Sequence, residues 1–547
     1  MIEVSTIDGL MLREMVLAGA ALLEKNREKV DALNVFPVPD GDTGTNMTLT
    51  MTSAVREINA KEYTSAGEAA AALAKGALRG ARGNSGVITS QLYRGFSKAL
   101  DGVDAITPSQ FAAALKRGAD TAYKAVMRPK EGTILTVARV IAEEAVKQAE
   151  KDPDNYDALF ETILKSGEEI LERTPDMLPV LKQAGVVDAG GRGLLHIYTG
   201  YAAALRGESV DTYTAEEQPA GEETQAAAET GWAQSAYMYG VRYSIVNIGK
   251  KAVQSDIDLL KRQLNRIGDC LTIEGDLKRL NVRVETNDPG KALQYGQILG
   301  DLVGLEVLNL KVTADQQEEA EPETPKEKKP YGMVAVSLGD GFSAIFKDLG
   351  IDAIVEGGQT MNPSIEDLGR AIESVSADTV FVFPDNGNVI LAAQQAAEMS
   401  EGNKVIVIPT KNVAMGIAAA VAFQPDLTPE ENAEKMQQAS ENVRTATITY
   451  AVRDSEFEDL HIKQGDIIGL ANGKVADKGS SIRDVALSVT EQIVTEDDSL
   501  ITLYYGADTS KEDAEALAEE FAEKYPDCDV DIQNGGQPLY FYLIAVE

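Results

Sequence analysis

The segment PDGDTGTNM, residues 39–47, places Asp40 and Asp42 two residues apart in a glycine-rich turn, directly before a run of residues with helical spacing. Two carboxylates about 4 Å apart repel by roughly 4 kcal/mol at an effective dielectric constant of 20. A divalent cation relieves that repulsion if the loop directs both carboxylates inward. The alternative is an ordinary type I turn, for which Pro-Asp-Gly-Asp has suitable residues. For the segment alone, the turn is the simpler interpretation.

Three further glycine-rich segments fall within the first 205 residues, each where a helix is expected to begin. They are GARGNSGVITSQ at 80–91, RPKEGTILTV at 128–137 and GVVDAGGRGLL at 185–195. Exposed backbone N–H groups at helix N-termini bind anions, although glycine also serves helix termini for purely conformational reasons. Four such loops, one with paired carboxylates, favour a nucleotide site. The sequence contains neither a G-x-x-x-x-G-K-[ST] P-loop nor the HRD and DFG motifs of protein kinases.

Two acidic stretches of low complexity, 206–230 and 313–330, are predicted to be linkers because they hold few large apolar residues. They leave three blocks: 1–205, 231–312 and 331–547. Helical spacing of apolar residues predicts that the first block is an all-α bundle or helical barrel. Within it, Ser65 and Glu68 predict a capping box, and Thr107-Pro108 predicts another helix start.

The other two blocks have a different rhythm. The middle block alternates strand-like segments with the helix-like DIDLLKRQL and GKALQYGQIL, which predicts a small α/β domain. The third block repeats an apolar strand, a turn and a helix, which predicts a parallel sheet, followed by a further α/β lobe from residue 446 onwards. Functional residues of such sheets gather at the carboxyl ends of strands, here 357–364, 384–388 and 409–416. Plain strand-to-helix turns explain the same residue types.

Composition limits the function further. The chain has 547 residues and a formal net charge of −36, which argues against nucleic acid as a partner. An anionic ligand such as ATP approaches such a protein more easily when metal ions intervene. Cys270 and Cys528 stand alone, so the sequence predicts neither a disulfide framework nor a cysteine zinc site. With no signal peptide and no membrane span expected, the cytoplasm is the predicted location.

The four segments PDGDTGTNM, GARGNSGVI, EGTILTV and GVVDAGGRGLL, in this order, resemble the nucleotide-binding (DhaL-like) domain of dihydroxyacetone kinases. The resemblance is closer to the fatty acid kinase catalytic subunit, whose three-block organisation the chain shares from end to end. It implies an eight-helix barrel that binds ATP and two Mg²⁺ ions with its loops. It also implies a homodimer through the middle domain. The C-terminal domain, which resembles fatty-acid-binding DegV-like proteins, would dock a separate carrier of the fatty acid.

The resemblance also assigns residues. Asp40 and Asp42 become the catalytic metal ligands, and Asn34, three residues after Asp31, is the nearest candidate for the third ligand. The residues implied to meet the nucleotide are Thr43, Gly44, Thr45, Asn46, Asn84, Ser85, Gly86, Thr133, Asp188, Ala189 and Gly190. For Asp188 the alternative is a helix N-cap.

The middle block departs from the family pattern at its zinc site. Where the family has a cysteine and two histidines, this chain has Gly240, Arg283 and Glu285. A guanidinium has no lone pair to offer a metal, so the sequence predicts that zinc is absent. Arg283 and Glu285 lie two residues apart on one strand, and an ion pair between them is predicted to replace the metal. The strand-end segment 384–388, in the domain that would dock the carrier, also departs from the family pattern. It reads Pro384-Asp385-Asn386-Gly387-Asn388, where relatives read closer to Pro-Asn-Asn-Lys-Asn.

Histidine is scarce, since His196 and His461 are the two in the chain, and the apolar surroundings of His196 favour a packed role. Transfer of phosphate to a hydroxyl profits from a general base, whereas a carboxylate is already ionised at pH 7. The sequence therefore predicts an ATP-dependent kinase that acts on a carrier-borne fatty acid. Two alternatives stay open: a self-contained kinase for a small hydroxyl substrate such as dihydroxyacetone, and a non-catalytic scaffold that senses ATP.

Overall fold

The computed structural model describes residues 4–35, 41–208, 237–246, 254–264, 266–276, 279–309, 328–358, 361–451, 455–457 and 460–547. Met1–Ala215 and Lys328–Glu547 together form one compact unit, and Glu216–Glu327 form a second. Most of both predicted linkers lies outside the described residues, so the domain boundaries stay predictions. Along the described ranges, no helix combines the length and the apolar character that crossing a bilayer requires.

The N-terminal part of the first unit is helical because its apolar residues recur at helical spacing and share one core. Leu12, Val16 and Leu23 of the first helix and Ile197 and Tyr201 of the last are buried in it. The helices are α1 (Gly9–Lys25), α2 (Arg27–Ala32), α3 (Thr43–Ile58), α4 (Ala66–Arg79), α5 (Gly83–Ala99), α6 (Pro108–Ala125), α7 (Ile134–Lys151), α8 (Tyr156–Leu171), α9 (Thr174–Met177), α10 (Pro179–Ala184) and α11 (Ala189–Leu205).

The order of packing follows the chain. Each helix from α3 to α7 packs against the next one along the chain, and α11 packs against α7, α8 and α1. The prediction of an all-α first block is therefore confirmed. The eight-helix barrel stays a prediction.

Two predicted helix starts have different outcomes. As predicted, Thr107 caps α6 and Pro108 is its first residue; Gln110 completes a capping box that was not predicted. The capping box at Ser65 and Glu68 is wrong, because the Ser65 hydroxyl makes no cap hydrogen bond. It donates instead to the carbonyl oxygen of Val103 at 3.1 Å, in the loop that follows α5. A tertiary contact has taken the hydroxyl that the local pattern assigned to the cap.

The C-terminal lobe, the described residues from 328 to 547, begins with the predicted parallel sheet. Its strand order is β6-β5-β7-β8 and every pairing in it is parallel. The strands are β5 (Lys329–Ser337), β6 (Ala353–Glu356), β7 (Ala377–Phe383) and β8 (Lys404–Val407), and the helices are α14 (Asp340–Asp348), α15 (Ile365–Ser374), α16 (Ile390–Met399), α17 (Val413–Val421) and α18 (Pro429–Asn442). Buried Val380, Phe381, Val382 and Phe383 form a continuous apolar run in β7, as expected of a strand covered on both faces.

A second, six-stranded sheet completes the lobe, with strand order β13-β12-β9-β16-β14-β15. Its pairings are antiparallel except that of β14 with β15. The elements are β9 (Arg444–Tyr450), the hairpin of β10 (Ser455–Phe457) and β11 (Leu460–Ile462), β12 (Ile467–Ala471), β13 (Lys474–Gly479), α19 (Ile482–Glu491), β14 (Leu500–Tyr505), α20 (Lys511–Lys524), β15 (Asp529–Asn534) and β16 (Tyr540–Val546). This is the further α/β lobe that the sequence predicts.

The second unit is the predicted small α/β domain. An antiparallel sheet of order β2-β3-β1-β4 packs with two helices around buried Val241, Tyr243 and Val282. Its elements are β1 (Tyr239–Val246), α12 (Gln254–Leu264), β2 (Gly268–Asp276), β3 (Arg279–Thr286), α13 (Pro289–Gln297) and β4 (Asp301–Asn309). Gly240 of β1 lies opposite Glu285 of β3 in the strand register. Arg283 and Glu285 therefore share one face of β3, where their ion pair stays a prediction.

Candidate active site

Two aspartates near the start of α3 have different surroundings. Asp31 caps the helix, because its Oδ1 accepts a hydrogen bond from the Thr45 N–H at 2.9 Å and its Oδ2 accepts from the Thr45 hydroxyl at 2.8 Å. Asp42 occupies the N-cap position itself, yet its side chain makes no cap hydrogen bond. Its Oδ2 accepts from Asn362 Nδ2 at 2.6 Å. Asp31 therefore caps this helix start, whereas Asp42 contacts Asn362, a residue far along the chain.

The other two predicted metal ligands are Asp40 and Asn34. Asp40 lies outside the described residues. Asn34 is 3% exposed, and its Oδ1 accepts a hydrogen bond from the Thr43 hydroxyl. Asn34 is thus packed against the first residue of α3, and a metal contact by it stays a prediction.

The start of α5 lies against α3. Gly83 has φ +58°, and a Cβ atom on it would be 2.5 Å from Asn46 Nδ2. A Cβ on Gly86 would be 2.3 Å from the Thr50 hydroxyl. Both glycines therefore permit a close approach that a larger residue would prevent. The structure thereby brings the predicted residues 43–46 together with 84–86, and with them the backbone N–H groups at two helix starts.

The remaining predicted residues form a second cluster, where α7 and α11 begin. Asp188 caps α11, since its Oδ2 accepts from the Gly191 N–H at 2.7 Å, so the N-cap alternative describes what the side chain does here. A Cβ on Gly190 would be 3.0 Å from Ile134 Cβ, which places the neighbouring Thr133 and Ala189 at the same junction. The Thr133 hydroxyl donates to the Lys130 carbonyl oxygen at 2.8 Å.

The Asp188 carboxyl is 7% exposed, and burial raises its pKa to about 7. The N–H groups of Gly191 and Ile134 act in the opposite direction, because they donate hydrogen bonds to the ionised form. The carboxyl therefore changes its charge close to neutral pH. A contact between this cluster and adenosine stays a prediction.

The C-terminal lobe contributes side chains that the sequence does not identify as part of the site. Asn362 follows β6, and its Nδ2 lies 2.6 Å from Asp42 Oδ2 and 3.4 Å from Asn46 Oδ1. Asn388 follows β7, and its Oδ1 accepts from Asn84 Nδ2 at 3.1 Å. Both residues lie in the predicted strand-end segments, 357–364 and 384–388. The expectation that functional residues gather at the carboxyl ends of parallel strands therefore pointed to these two loops. It did not identify the surface that they contact.

Arg82 is the third residue that the sequence did not single out. Its Nη1 donates to the Asn362 carbonyl oxygen at 2.7 Å, and its Nη2 lies 3.4 Å from Asp367 Oδ2. Burial lowers the pKa of Arg82, whereas the carboxylate of Asp367 raises it. Burial also acts to raise the pKa of Asp367, but hydrogen bonds from Ser364 and the charge of Arg82 lower it overall. The pair joins the loop before α5 to the start of α15.

His196 has the packed position expected from the sequence. It is half-buried in α11, and burial lowers its pKa, as do the charges of Arg192 and Lys29. The imidazole is therefore neutral at pH 7.

The donors at the first cluster fit Mg²⁺ and a triphosphate. Carboxylate and amide oxygens are the hard ligands that Mg²⁺ prefers, and two helix N-termini suit phosphate. Among the residues with described positions, no group of three His, Cys, Asp or Glu side chains converges on a metal-sized space. Because Asp40 is not among those residues, Asp42 is the one carboxylate of the predicted pair whose place is defined.

Comparison with known proteins gives the class of protein. Three family models match: the DAK2 domain at residues 37–203, the FakA-like middle domain of fatty acid kinase at 236–317 and the FakA-like C-terminal domain at 332–547. Together they span all three predicted blocks. Gly240, Arg283 and Glu285, the three positions predicted to have lost the zinc ligands, lie within the residues that match the middle-domain model.

Several relatives match over the full length of both chains. Protein YloV of Bacillus subtilis is 42% identical over 560 residues, with 100% of each chain covered. An uncharacterized protein of Staphylococcus saprophyticus is 38% identical over 554 residues, again with 100% of each covered. A solved structure of a DegV family protein from Thermus thermophilus is 15% identical, with a TM-score of 0.30, and covers 40% of this chain and 99% of that one. A likeness as weak as the last says nothing about the fold or ligands of this chain.

These matches define a phosphotransferase, a kinase of the fatty acid kinase class. The chain belongs to the FakA-like family of fatty acid kinase proteins, with an N-terminal DAK2 domain.

Proposed function

We propose that this chain transfers the γ-phosphoryl group of ATP to the carboxylate of a fatty acid held by a separate binding protein, which gives an acyl phosphate. The observation that carries the proposal is the position of the Asp42 carboxylate, at the first residue before α3 and, through Asn362, beside the start of α5. The family matches along the whole chain support the acceptor class.

In this proposal, Asp40 and Asp42 hold two Mg²⁺ ions, and Asn34 is the candidate third ligand. The chain binds no zinc. Bound Mg²⁺ neutralises charge on the phosphates during transfer. The residues that meet the nucleotide at the start of α3 are Thr43, Gly44, Thr45 and Asn46, and those that bind phosphate at the start of α5 are Asn84, Ser85 and Gly86. The residues by the adenosine are Thr133, Asp188, Ala189 and Gly190. The donor chemistry of both clusters supports this assignment.

The acceptor needs no general base, because a fatty acid carboxylate is ionised at pH 7. This agrees with a neutral, half-buried His196. The chain's own groups therefore act by position and charge, which supply most of the catalysis in phosphoryl transfer.

The working assembly is a cytoplasmic homodimer with a DegV-like fatty-acid-binding protein as its partner. We keep the three blocks 1–205, 231–312 and 331–547 as its domains, joined by the linkers 206–230 and 313–330. The C-terminal match to the FakA-like family supports a partner that docks there. In this arrangement the helical domain supplies the nucleotide and the partner supplies the acceptor.

The DAK2 match favours a second candidate, a kinase for a small hydroxyl substrate such as dihydroxyacetone. An assay of ATP consumption with acyl-loaded carrier, with free dihydroxyacetone, or with neither distinguishes the candidates. We expect ADP to accumulate only with the loaded carrier. Turnover with dihydroxyacetone alone would support the second candidate, and no turnover with either acceptor would indicate a scaffold that senses ATP.

A further inference from the structure

The loop that follows β6 is anchored to the N-terminal end of α5 around Asn362. The carbonyl oxygen of Asn362 accepts a hydrogen bond from Arg82 Nη1 at 2.7 Å. Two residues further along the loop, an isolated antiparallel bridge joins Ser364 to Arg82. Pro363 also restricts the backbone of the residue before it. The Asn362 side chain is therefore held in one place by contacts of its own backbone and of its neighbours.

The two ends of the Asn362 amide have different surroundings. Its Nδ2 donates to Asp42 Oδ2 at 2.6 Å and to Asn46 Oδ1 at 3.4 Å. Because two acceptors lie on this side, the nitrogen belongs here and the oxygen belongs at the opposite end. That oxygen, Oδ1, is buried and has no hydrogen-bond partner within the described parts of the chain. A buried amide oxygen is normally completed by a donor or a cation, so its surroundings lack one group.

The unpaired oxygen lies close to the Asp42 carboxylate. Bond lengths of about 1.23 Å for C=O and about 1.33 Å for C–N place the two ends of an amide roughly 2.3 Å apart. Since Asn362 Nδ2 is 2.6 Å from Asp42 Oδ2, Asn362 Oδ1 is at most about 5 Å from the same carboxylate oxygen. Carboxylate and amide oxygens are both suitable ligands for Mg²⁺. The residues present therefore fit the metal that the proposed function places at Asp42.

The other predicted amide ligand, Asn34, is in a different situation. Its Oδ1 already accepts a hydrogen bond from the Thr43 hydroxyl, at the first residue of α3. A metal contact through Asn34 Oδ1 competes with that hydrogen bond. The Asn362 oxygen can accept a metal ion or a metal-bound water without giving up any hydrogen bond that the described residues make.

We propose that Asn362 belongs to the magnesium site: its Nδ2 positions the Asp42 carboxylate, and its Oδ1 binds Mg²⁺, directly or through a metal-bound water. This rests on the proposed function, in which Asp42 holds Mg²⁺. The C-terminal lobe thereby adds an oxygen to a site whose other residues come from the helical part. Both parts lie in one compact unit, so the metal site is shared between them and the helical part alone lacks one of its groups.

ADP affinity with and without metal distinguishes a metal-binding residue from one that only supports the fold. Asn362→Leu, in full-length protein, replaces the amide by an apolar side chain of similar size. We expect ADP affinity in saturating Mg²⁺ to fall at least about 10-fold, since loss of a group that positions a metal ligand typically costs 10–100-fold in metal affinity. In EDTA, the ADP affinity of the variant should equal that of wild-type protein. Calorimetry measures both affinities.

Gln395→Met is the matched control. Gln395 is a buried amide of the same lobe, and its Oε1 accepts from Gln91 Nε2 of α5 at 2.7 Å, so the substitution also removes a buried hydrogen bond between the lobe and α5. Neither residue belongs to the predicted site. Thermal stability should fall in both variants, but the control should keep wild-type ADP affinity with and without Mg²⁺.

Three results would overturn the proposal. The first is unchanged Mg·ADP affinity in the Asn362→Leu variant. The second is an equal loss of ADP affinity in Mg²⁺ and in EDTA, which indicates a purely structural residue. The third is the same loss of Mg²⁺-dependent affinity in the Gln395→Met control, which indicates that any weakened contact between lobe and α5 has this effect.

Asn362→Asp gives a second measurement, which stands even if the leucine variant does not fold. The new carboxylate replaces Nδ2, which now lies 2.6 Å from Asp42 Oδ2, and two carboxylates this close repel unless a cation lies between them. Mg²⁺ alone should therefore raise the melting temperature of this variant by more than it raises that of wild-type protein. Equal shifts in the two proteins would contradict a magnesium ion at this position.

These measurements contain no acceptor, so their outcome is separate from that of the proposed function. The proposed function fails if wild-type protein binds Mg·ADP yet transfers no phosphate to an acyl-loaded carrier. The role of Asn362 fails through its own variants while wild-type protein remains active. Wild-type ADP affinity that does not depend on Mg²⁺ would overturn both.

Discussion

At the scale of single residues, Asp31 and Asp42 have different contacts at the start of α3. Both carboxylates lie near the first turn of α3, but Asp31 accepts two hydrogen bonds from Thr45, whereas Asp42 makes no cap hydrogen bond and accepts from Asn362. A carboxylate that already accepts two hydrogen bonds stabilises the helix start. In the proposed function, the Asp42 carboxylate holds Mg²⁺ instead.

Asp42→Asn removes the charge and keeps an oxygen that can accept from Asn362. We expect affinity for Mg·ADP and turnover to fall at least about 100-fold, because the metal loses an anionic ligand while the fold is retained. Calorimetry of Mg·ADP binding and a kinase assay measure the two effects. Asp8→Asn is the matched control: Asp8 also precedes a helix, but its Oδ1 caps α1 by accepting from the Met11 N–H at 2.8 Å. Wild-type affinity in the Asp42 variant would contradict the assignment.

Asp385 is a second unusual carboxylate, in the loop after β7. It has φ +51°, and neither carboxyl oxygen has a hydrogen-bond partner within the described ranges. Burial raises the pKa of Asp385 well above the usual range; the nearby Thr410 hydroxyl, which accepts a hydrogen bond from the Asp385 backbone N–H at 3.1 Å, lowers it only in part. The folded-state pKa of Asp385 is higher than its unfolded-state pKa of about 4. Its contribution to the free energy of unfolding is therefore fully present below about pH 4 and is lost as the pH rises through the folded-state pKa.

Asp385→Asn should therefore stabilise the protein at pH 8, by about 1 kcal/mol or more, and make little difference near pH 4. Asparagine also tolerates the left-handed conformation better than most residues. Thermal unfolding across this pH range measures the effect. Asp378→Asn, at an exposed position on β7, is the control and should show no comparable rise. A destabilised Asp385 variant at pH 8 would show that the carboxylate has an essential partner.

At the scale of elements, the start of α5 depends on Gly83. A non-glycine residue in the left-handed conformation costs roughly 1–2 kcal/mol, and at Gly83 a Cβ would also lie 2.5 Å from Asn46 Nδ2. Gly83→Ala should lower both thermal stability and Mg·ADP affinity. Gly102→Ala is the control, since Gly102 has φ +70° with nothing within 4 Å of its Cβ position. It should lower stability alone, and equal effects of the two substitutions on affinity would contradict the close packing of α3 and α5.

Most elements follow from local patterns, and the exceptions have a physical reason. The starts of α5 and α11 were predictable because glycine and a capping aspartate occur where helical spacing begins. Ser65 shows the limit of that reasoning. Its hydroxyl bonds to Val103, 38 residues away, and no local pattern encodes which distant carbonyl will take a donor. Local patterns likewise predict the positions of Thr133 and Asp188 at the starts of α7 and α11. They do not specify which ligand either side chain contacts.

Strands β1 and β3 of the second unit carry the prediction about zinc. Gly240 offers no ligand, and Arg283 cannot bind a cation through its guanidinium. We expect elemental analysis of protein purified without chelator to find well under one zinc per chain. Restoring the family's residues with Gly240→Cys, Arg283→His and Glu285→His should create zinc binding. One zinc per chain in the unaltered protein would refute the prediction.

At the scale of the whole molecule, the first unit joins two parts that lie far apart in the sequence. Asn362 and Asp42 are separated by 320 positions, and their contact depends on how the lobe packs against α5. The sequence predicts each part, because helical and strand periodicities are local signals. The sequence does not predict that the two parts contact each other. Apolar residues such as Ala81 and Val87 recur at the same helical spacing whether they pack inside their own bundle or, as here, against another domain.

Chemical trapping of the product shows whether the chain makes an acyl phosphate. Acyl phosphates react with hydroxylamine to give hydroxamates, so wild-type protein, ATP, Mg²⁺ and oleate-loaded carrier should yield oleoyl hydroxamate in step with ADP. The Asp42→Asn variant should yield almost none. ADP formation without hydroxamate, or phosphorylation of dihydroxyacetone in its place, would show that the chain does not phosphorylate a fatty acid.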